Sequence, residues 1–313
     1  MKGENRMPSM DIVFTQILVI LLYVAIGYVC GKAGLIRPDQ RKYLTRICTD
    51  LILPFTILSA SSQEVSQKEL TGFALITLLI LLTYIVTTAA ALGIQTLMKT
   101  KRPMKITTAS LLTYPNCTFL GLPLCRALFG EIAVLYNAVA LVAFNVLFFT
   151  WQASAFTGKK FSWRNLLTLP NIATGILIVM LALRWHFPSP VQTVVSNTGA
   201  MISPLSLIII GVMMSENRLT AVLKEKRAYL VTLIRNLLIP LALMLLIRLL
   251  DISPAERVCL LVYLACPCAT LTSIYAIQND MEPEFAARSV LMSTLFFAGT
   301  LPLIIWLGTR LLQ

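Results

Sequence analysis

Long apolar runs alternate with short polar connections from one end of the chain to the other. Ten runs are long enough to cross a membrane as helices, near 11–31, 42–61, 70–98, 104–129, 132–157, 167–186, 191–214, 228–250, 255–278 and 284–311. A hydrocarbon core of about 30 Å needs roughly 20 helical residues. The runs are continuous instead of alternating with period two, which predicts helices and excludes a barrel of strands. The expected fold class is therefore all-α integral membrane. Residues Met1 to Met10 are polar, and the first run carries no small-residue cleavage site, so it reads as a retained first helix and not a signal peptide.

Composition strengthens this picture. Of the 313 residues, 57% are hydrophobic and 13% charged, with a mean hydropathy of +0.80. A soluble domain of this size cannot hide so much apolar surface, whereas a lipid-facing one need not. The net charge of +12 suggests nucleic acid on a soluble chain. Here the charge falls in short loops with no nucleic-acid motif, so it reads as a topology signal. Lys32, Arg37, Arg41, Lys42 and Arg46 flank the first connection, and Lys99, Lys101, Arg102 and Lys105 the third. Lys159, Lys160 and Arg164 mark the fifth, and Arg218, Lys224, Lys226 and Arg227 the seventh. The bias predicts that these four loops are cytoplasmic, with both termini outside an inner (plasma) membrane.

Two pairs of runs echo one another at an offset of five. The fourth contains Leu111-Leu112-Thr113-Tyr114-Pro115-Asn116-Cys117, and the ninth Leu260-Leu261-Val262-Tyr263-Leu264-Ala265-Cys266-Pro267. The second and seventh carry mid-run prolines, Pro54 and Pro204. Because five is odd, two such halves must insert upside down relative to each other, the inverted-repeat plan of many secondary transporters. The predicted units are residues 1–160, helices 1 to 5, and residues 161–313, helices 6 to 10.

The chemistry concentrates at the same places. Proline removes a backbone donor and clashes with the preceding turn, so Pro115, with Gly121 and Pro123, should break the fourth helix. Pro267 should break the ninth. Broken backbone at bilayer depth persists only where it is buried in protein or lines a wet cavity. A half-helix starting after Pro115 would aim bare N–H groups and its positive dipole end at such a cavity, which suits an anion. Candidate substrate-binding residues are Asn116, Tyr114, Pro115, Thr118, Pro267 and Thr270. A tolerated proline kink is the plainer alternative, and the paired clusters favour a site over it.

Asp50, one turn before Pro54, is a candidate proton or cation coupling site. It equally suits a simple i,i+4 pair with Arg46, and both readings stay open. Asn145 and Asn197 are expected to glue helices, and Arg235 to snorkel to the inner interface. His186, the only histidine, lies at the outer edge without an expected role. The seven cysteines lack zinc-ligand spacing and a disulfide framework. No metal, nucleotide or hydrolase motif is present, so neither a cofactor nor an enzyme is expected.

Asn116-x-x-Phe119-x-Gly121-x-Pro123-Leu124, followed by Phe129-Gly130-Glu131, resembles the auxin efflux carrier family of permeases. Leu53-Pro54-Phe55, Pro170-Asn171-Ile172-Ala173, Pro204-Leu205 with Gly211, Cys266-Pro267 and Thr300-Leu301-Pro302 resemble its other helices in order. The chain departs from the family at Asp50, where many members carry Asn, and in lacking a second Asn at the ninth-helix crossing. The resemblance implies ten helices in two inverted halves, with helices 4 and 9 broken and crossing. It also implies alternating-access transport of a small organic carboxylate, auxin-like or malate- or malonate-like, by a bacterial type of carrier. The partners expected are that anion and the lipid bilayer, with a homodimer left open. The alternatives are a cation/proton antiporter of crossed-helix plan and a non-transporting membrane sensor.

Overall fold

A computed structural model describes residues 9–63, 67–250 and 252–312. The polar stretch ahead of the first helix thus lies mostly outside the described residues. Thirteen helical segments are labelled here: α1 Met10–Lys32, α2 Pro38–Ser62, α3 Gln67–Leu97, α4 Arg102–Thr113, α5 Cys117–Phe129, α6 Ile132–Thr157 and α7 Leu169–Ala182. The remainder are α8 Ser189–Ser215, α9 Leu219–Lys224, α10 Lys226–Ile247, α11 Pro254–Ala265, α12 Thr270–Gln278 and α13 Pro283–Leu311. Among the described residues there are no strands beyond one isolated bridge, Pro115 with Cys268.

Seven of these helices, α1, α2, α3, α6, α8, α10 and α13, are long and apolar enough to cross a bilayer. Their outward faces are apolar as well. Phe14, Leu18, Leu22 and Val29 on α1 are all more than half exposed. Such a ring of bare hydrocarbon is stable only against lipid, and the chain is an integral membrane protein.

The sixth predicted run is shorter than the sequence suggests. Instead of 167–186, α7 holds 14 residues, starting at the N-cap Thr168 with Pro170 in its first turn and ending before Arg184, whose φ is 51°. The fourth and ninth runs are each broken in two, as their prolines predict.

The prolines also explain the local geometry of the long helices. A proline cannot donate to the carbonyl four residues earlier, so the ladder ahead of it widens. Three π-turns lie just before Pro54, Pro123 and Pro240: Cys48–Ile52, Cys117–Gly121 and Ile234–Leu238. In each, the residue preceding the proline bonds five residues back: Leu53 to Cys48, Leu122 to Cys117 and Ile239 to Ile234. The Phe119 carbonyl released by Pro123 takes a hydrogen bond from Ser206 Oγ of α8 at 2.8 Å. Pro123 therefore widens the helix and ties it to a neighbour, while Pro115 alone breaks it. In α8, Pro204 coincides with a local turn at Met201.

Helix α1 packs closely against α8 at its glycines. A side-chain carbon at Gly27 would stand 2.1 Å from the Ile208 carbonyl oxygen, and one at Gly211 2.0 Å from that of Val24. In lipid, where hydrophobic transfer no longer drives association, such backbone approach supplies the dispersion that holds helices together. Gly211→Val is therefore expected to destabilise the purified protein by about 1–3 kcal/mol or to abolish its folding. Gly175→Ala, with nothing within 4 Å, should leave the thermal unfolding curve in detergent unchanged.

Candidate functional site

The two broken helices meet at their breaks. Proline disfavours helical backbone in the residue before it, and Tyr114 (φ −98°, ψ 119°) and Cys266 (φ −54°, ψ 147°) are extended accordingly. The two extended stretches then pair antiparallel. Asn116 N donates to Pro267 O at 2.7 Å, and Ala269 N donates to Tyr114 O at 2.9 Å. Each break thus supplies donors and acceptors that the other lacks, as backbone deep in a membrane protein requires.

Beyond the breaks, α5 starts at Cys117 and α12 at Thr270. Their first N–H groups have no carbonyl of their own helix to bond. Both starts border a cavity of about 250 Å³. Asn116, Thr118, Phe119 and Thr270 form its floor, α6 contributes Leu141, Phe144, Asn145 and Phe149, and Thr49, Asp50 and Leu53 of α2 complete the wall with Thr168 and Pro170. Most of this lining is apolar, and among the described residues no lysine, arginine or histidine belongs to it.

Of the residues singled out from sequence, Pro115, Asn116, Thr118 and Thr270 border this one cavity, as does Asp50. Asn116 is buried, and its Nδ2 donates to Thr270 Oγ1 at 3.3 Å, which links the two half-helices through side chains as well. Tyr114 and Pro267 stand behind the wall. The Tyr114 ring packs edge-on against Phe144 and Phe148, at 5.2 and 5.0 Å between centroids, and so backs the aromatic side of the cavity. Pro267 acts through its carbonyl, which holds Asn116. Asp50 is exposed at the rim, accepts from Arg46 Nε at 3.2 Å and from Thr49 Oγ1 at 3.0 Å, and borders the cavity at the same time.

Asn145 bonds across helices as expected, donating to Asn171 Oδ1 of α7 at 2.6 Å. Asn197 instead lies exposed on α8. His186 reaches the Ser61 carbonyl at 2.7 Å. The Phe129-Gly130-Glu131 turn closes α5 onto α6: Gly130 has φ 75°, and Arg126 Nε donates to Glu131 Oε1 at 2.7 Å.

Arg235 corrects the sequence reading. It does not snorkel but is fully buried. Its guanidinium donates to Leu112 O at 3.4 Å, Leu264 O at 2.9 Å and Cys266 O at 3.2 Å. These carbonyls lie where α4 and α11 run into their breaks, where helical acceptors lose their donors and the dipole is negative. Among the described residues no carboxylate pairs with it. Its depth was legible, since Arg235 lies eight residues beyond Arg227, about 12 Å along a helix. Its partners were not, because they come from two other helices.

A family described as "Membrane transport protein" matches over residues 12–160 and 154–305. An uncharacterized transporter of Methanocaldococcus jannaschii is 24% identical over 307 residues, covering 93% of this chain and 96% of the relative.

Removing the guanidinium strands three buried carbonyls, at about 1–3 kcal/mol for each acceptor left unsatisfied. Arg235→Gln is therefore expected to unfold at a markedly lower temperature in detergent than the parent. Arg235→Lys, which keeps the charge but loses the fork of donors, should fall between them.

Proposed function

We propose that this chain, which belongs to the membrane transport protein family, is a secondary carrier that passes a small organic monocarboxylate across the membrane by alternating access. The observation that carries this reading is one cavity bordered by the starts of two half-helices that are held together at their breaks. Bare N–H groups and two positive dipole ends, each contributing on the order of 1 kcal/mol, attract a carboxylate without fixing it too tightly to leave. Asn116 and the hydroxyls of Thr118 and Thr270 are the side-chain contacts, with Pro115 shaping the floor. Tyr114 and Pro267 position them from behind.

The lining narrows the substrate. A second carboxylate would find no cationic side chain in the wall and would meet Asp50 at the rim. Leu141, Phe144 and Phe149 instead suit an apolar or aromatic body. An auxin-like acid therefore fits better than malate or malonate. In this reading all ten predicted helices cross the bilayer, with the breaks in the fourth and ninth. Residues 1–160 and 161–313 form inverted halves, and alternating access is a rocking of one bundle against the other. The basic loops support a plasma-membrane orientation with both termini outside. Asp50, exposed on the cavity rim beside Arg46, is the candidate coupling residue.

The direct test is exchange of labelled phenylacetate in proteoliposomes, with protein-free vesicles as the baseline. Phenylacetate is expected to exchange at least tenfold faster than malate, and Asn116→Ala to reduce that exchange at least tenfold. Malate moving faster than phenylacetate overturns the substrate assignment, and full activity of Asn116→Ala overturns the site. In Asp50→Asn, exchange at equal pH should persist while accumulation driven by a pH gradient disappears.

A further inference from the structure

Thr118 lines the large cavity and a second, smaller space as well. The second space, beneath the cavity floor, is of about 10 Å³, close to the least that holds one water. Leu53, Cys117, Thr118 and Leu141 belong to the walls of both. On the far side stands Asn137 of α6, buried with only 5% of its surface exposed. Its Nδ2 donates to Ala133 O of its own helix at 2.7 Å, which fixes the amide orientation, and its Oδ1 has no partner. A buried unpartnered acceptor costs about 1–3 kcal/mol, and an apolar residue would fill the place without that cost.

Position gives the group a meaning. Asn145 and Asn137 are eight residues apart on α6 and border the two spaces in turn, a separation of about 12 Å along one helix face. The large cavity includes exposed Asp50 on its rim, whereas Leu122, Val134 and Asn137 around the small one are buried. Two leucines, Leu53 and Leu141, stand in the partition from opposite helices.

We propose that the substrate path continues past Thr118 to Asn137, with Leu53 and Leu141 as the closed gate and Asn137 as the first polar contact beyond it. This rests on the carrier reading above. The free Oδ1 holds the single water that keeps the shut half of the path wettable. When the gate parts, the second Nδ2 hydrogen, not used by Ala133 O, is offered to the departing carboxylate.

The test joins a measurement that needs no substrate to one that does. Asn137→Cys in sealed vesicles of either orientation is treated with a membrane-impermeant methanethiosulfonate, and modification at position 137 is read by peptide mass spectrometry. The introduced thiol should react slowly from the face away from Asp50. Adding Leu141→Ala should raise reaction from the Asp50 face at least tenfold. No reaction from either face with the gate truncated overturns the proposal. Asn137→Leu should keep phenylacetate binding to the purified protein within twofold while exchange falls at least tenfold. Loss of binding together with exchange, or exchange at the parent rate, also overturns it. If the parent neither binds nor moves phenylacetate, the carrier reading for that class of acid fails, and thiol labelling still decides the path.

Discussion

Two hydrogen bonds between two broken helices are the constraint on which the rest depends. A proline break inside a bilayer exposes amides and carbonyls that neither lipid nor their own helix can satisfy. Asn116 N to Pro267 O and Ala269 N to Tyr114 O resolve that problem for both breaks at once. Each break satisfies the other, so α4–α5 and α11–α12 meet at this point. The crossing sets where the half-helices start, and hence where a cavity with exposed N–H groups can exist.

The electrostatics of the crossing are divided between the two kinds of helix end. Where α4 and α11 run into their breaks, Arg235 supplies a permanent positive charge to three carbonyls. Where α5 and α12 start, no acidic residue is fixed against the amides; the cavity floor offers Asn116, Thr118 and Thr270 instead. One pole is thus neutralised by the protein, and the other faces the cavity.

Prolines that do not break their helices shape the packing around the cavity. Pro54 and Pro123 each widen a turn that borders the cavity, and Pro123 frees a carbonyl for Ser206 of α8. α8 in turn is held to α1 by approaches so close that only glycine fits. The cavity is therefore connected through short, specific contacts to a rigid helix pair.

Hydropathy by itself determined that the chain is a helical membrane protein, because lipid allows a continuous apolar run almost no other structure. Pro115 and Pro267 determined that two runs break, because a missing N–H is a covalent fact independent of surroundings. The motif around Asn116 located the cavity floor for the same reason. The tertiary structure decided the rest, because it concerns groups distant in sequence. It placed Tyr114 and Pro267 behind the wall, and carried Arg235 from an expected interface to the heart of the crossing. It also set Asn137 in the wall of a small buried space. A charge or amide in an apolar run shows in sequence that it must find a partner; which carbonyl or cavity it finds depends on how helices pack.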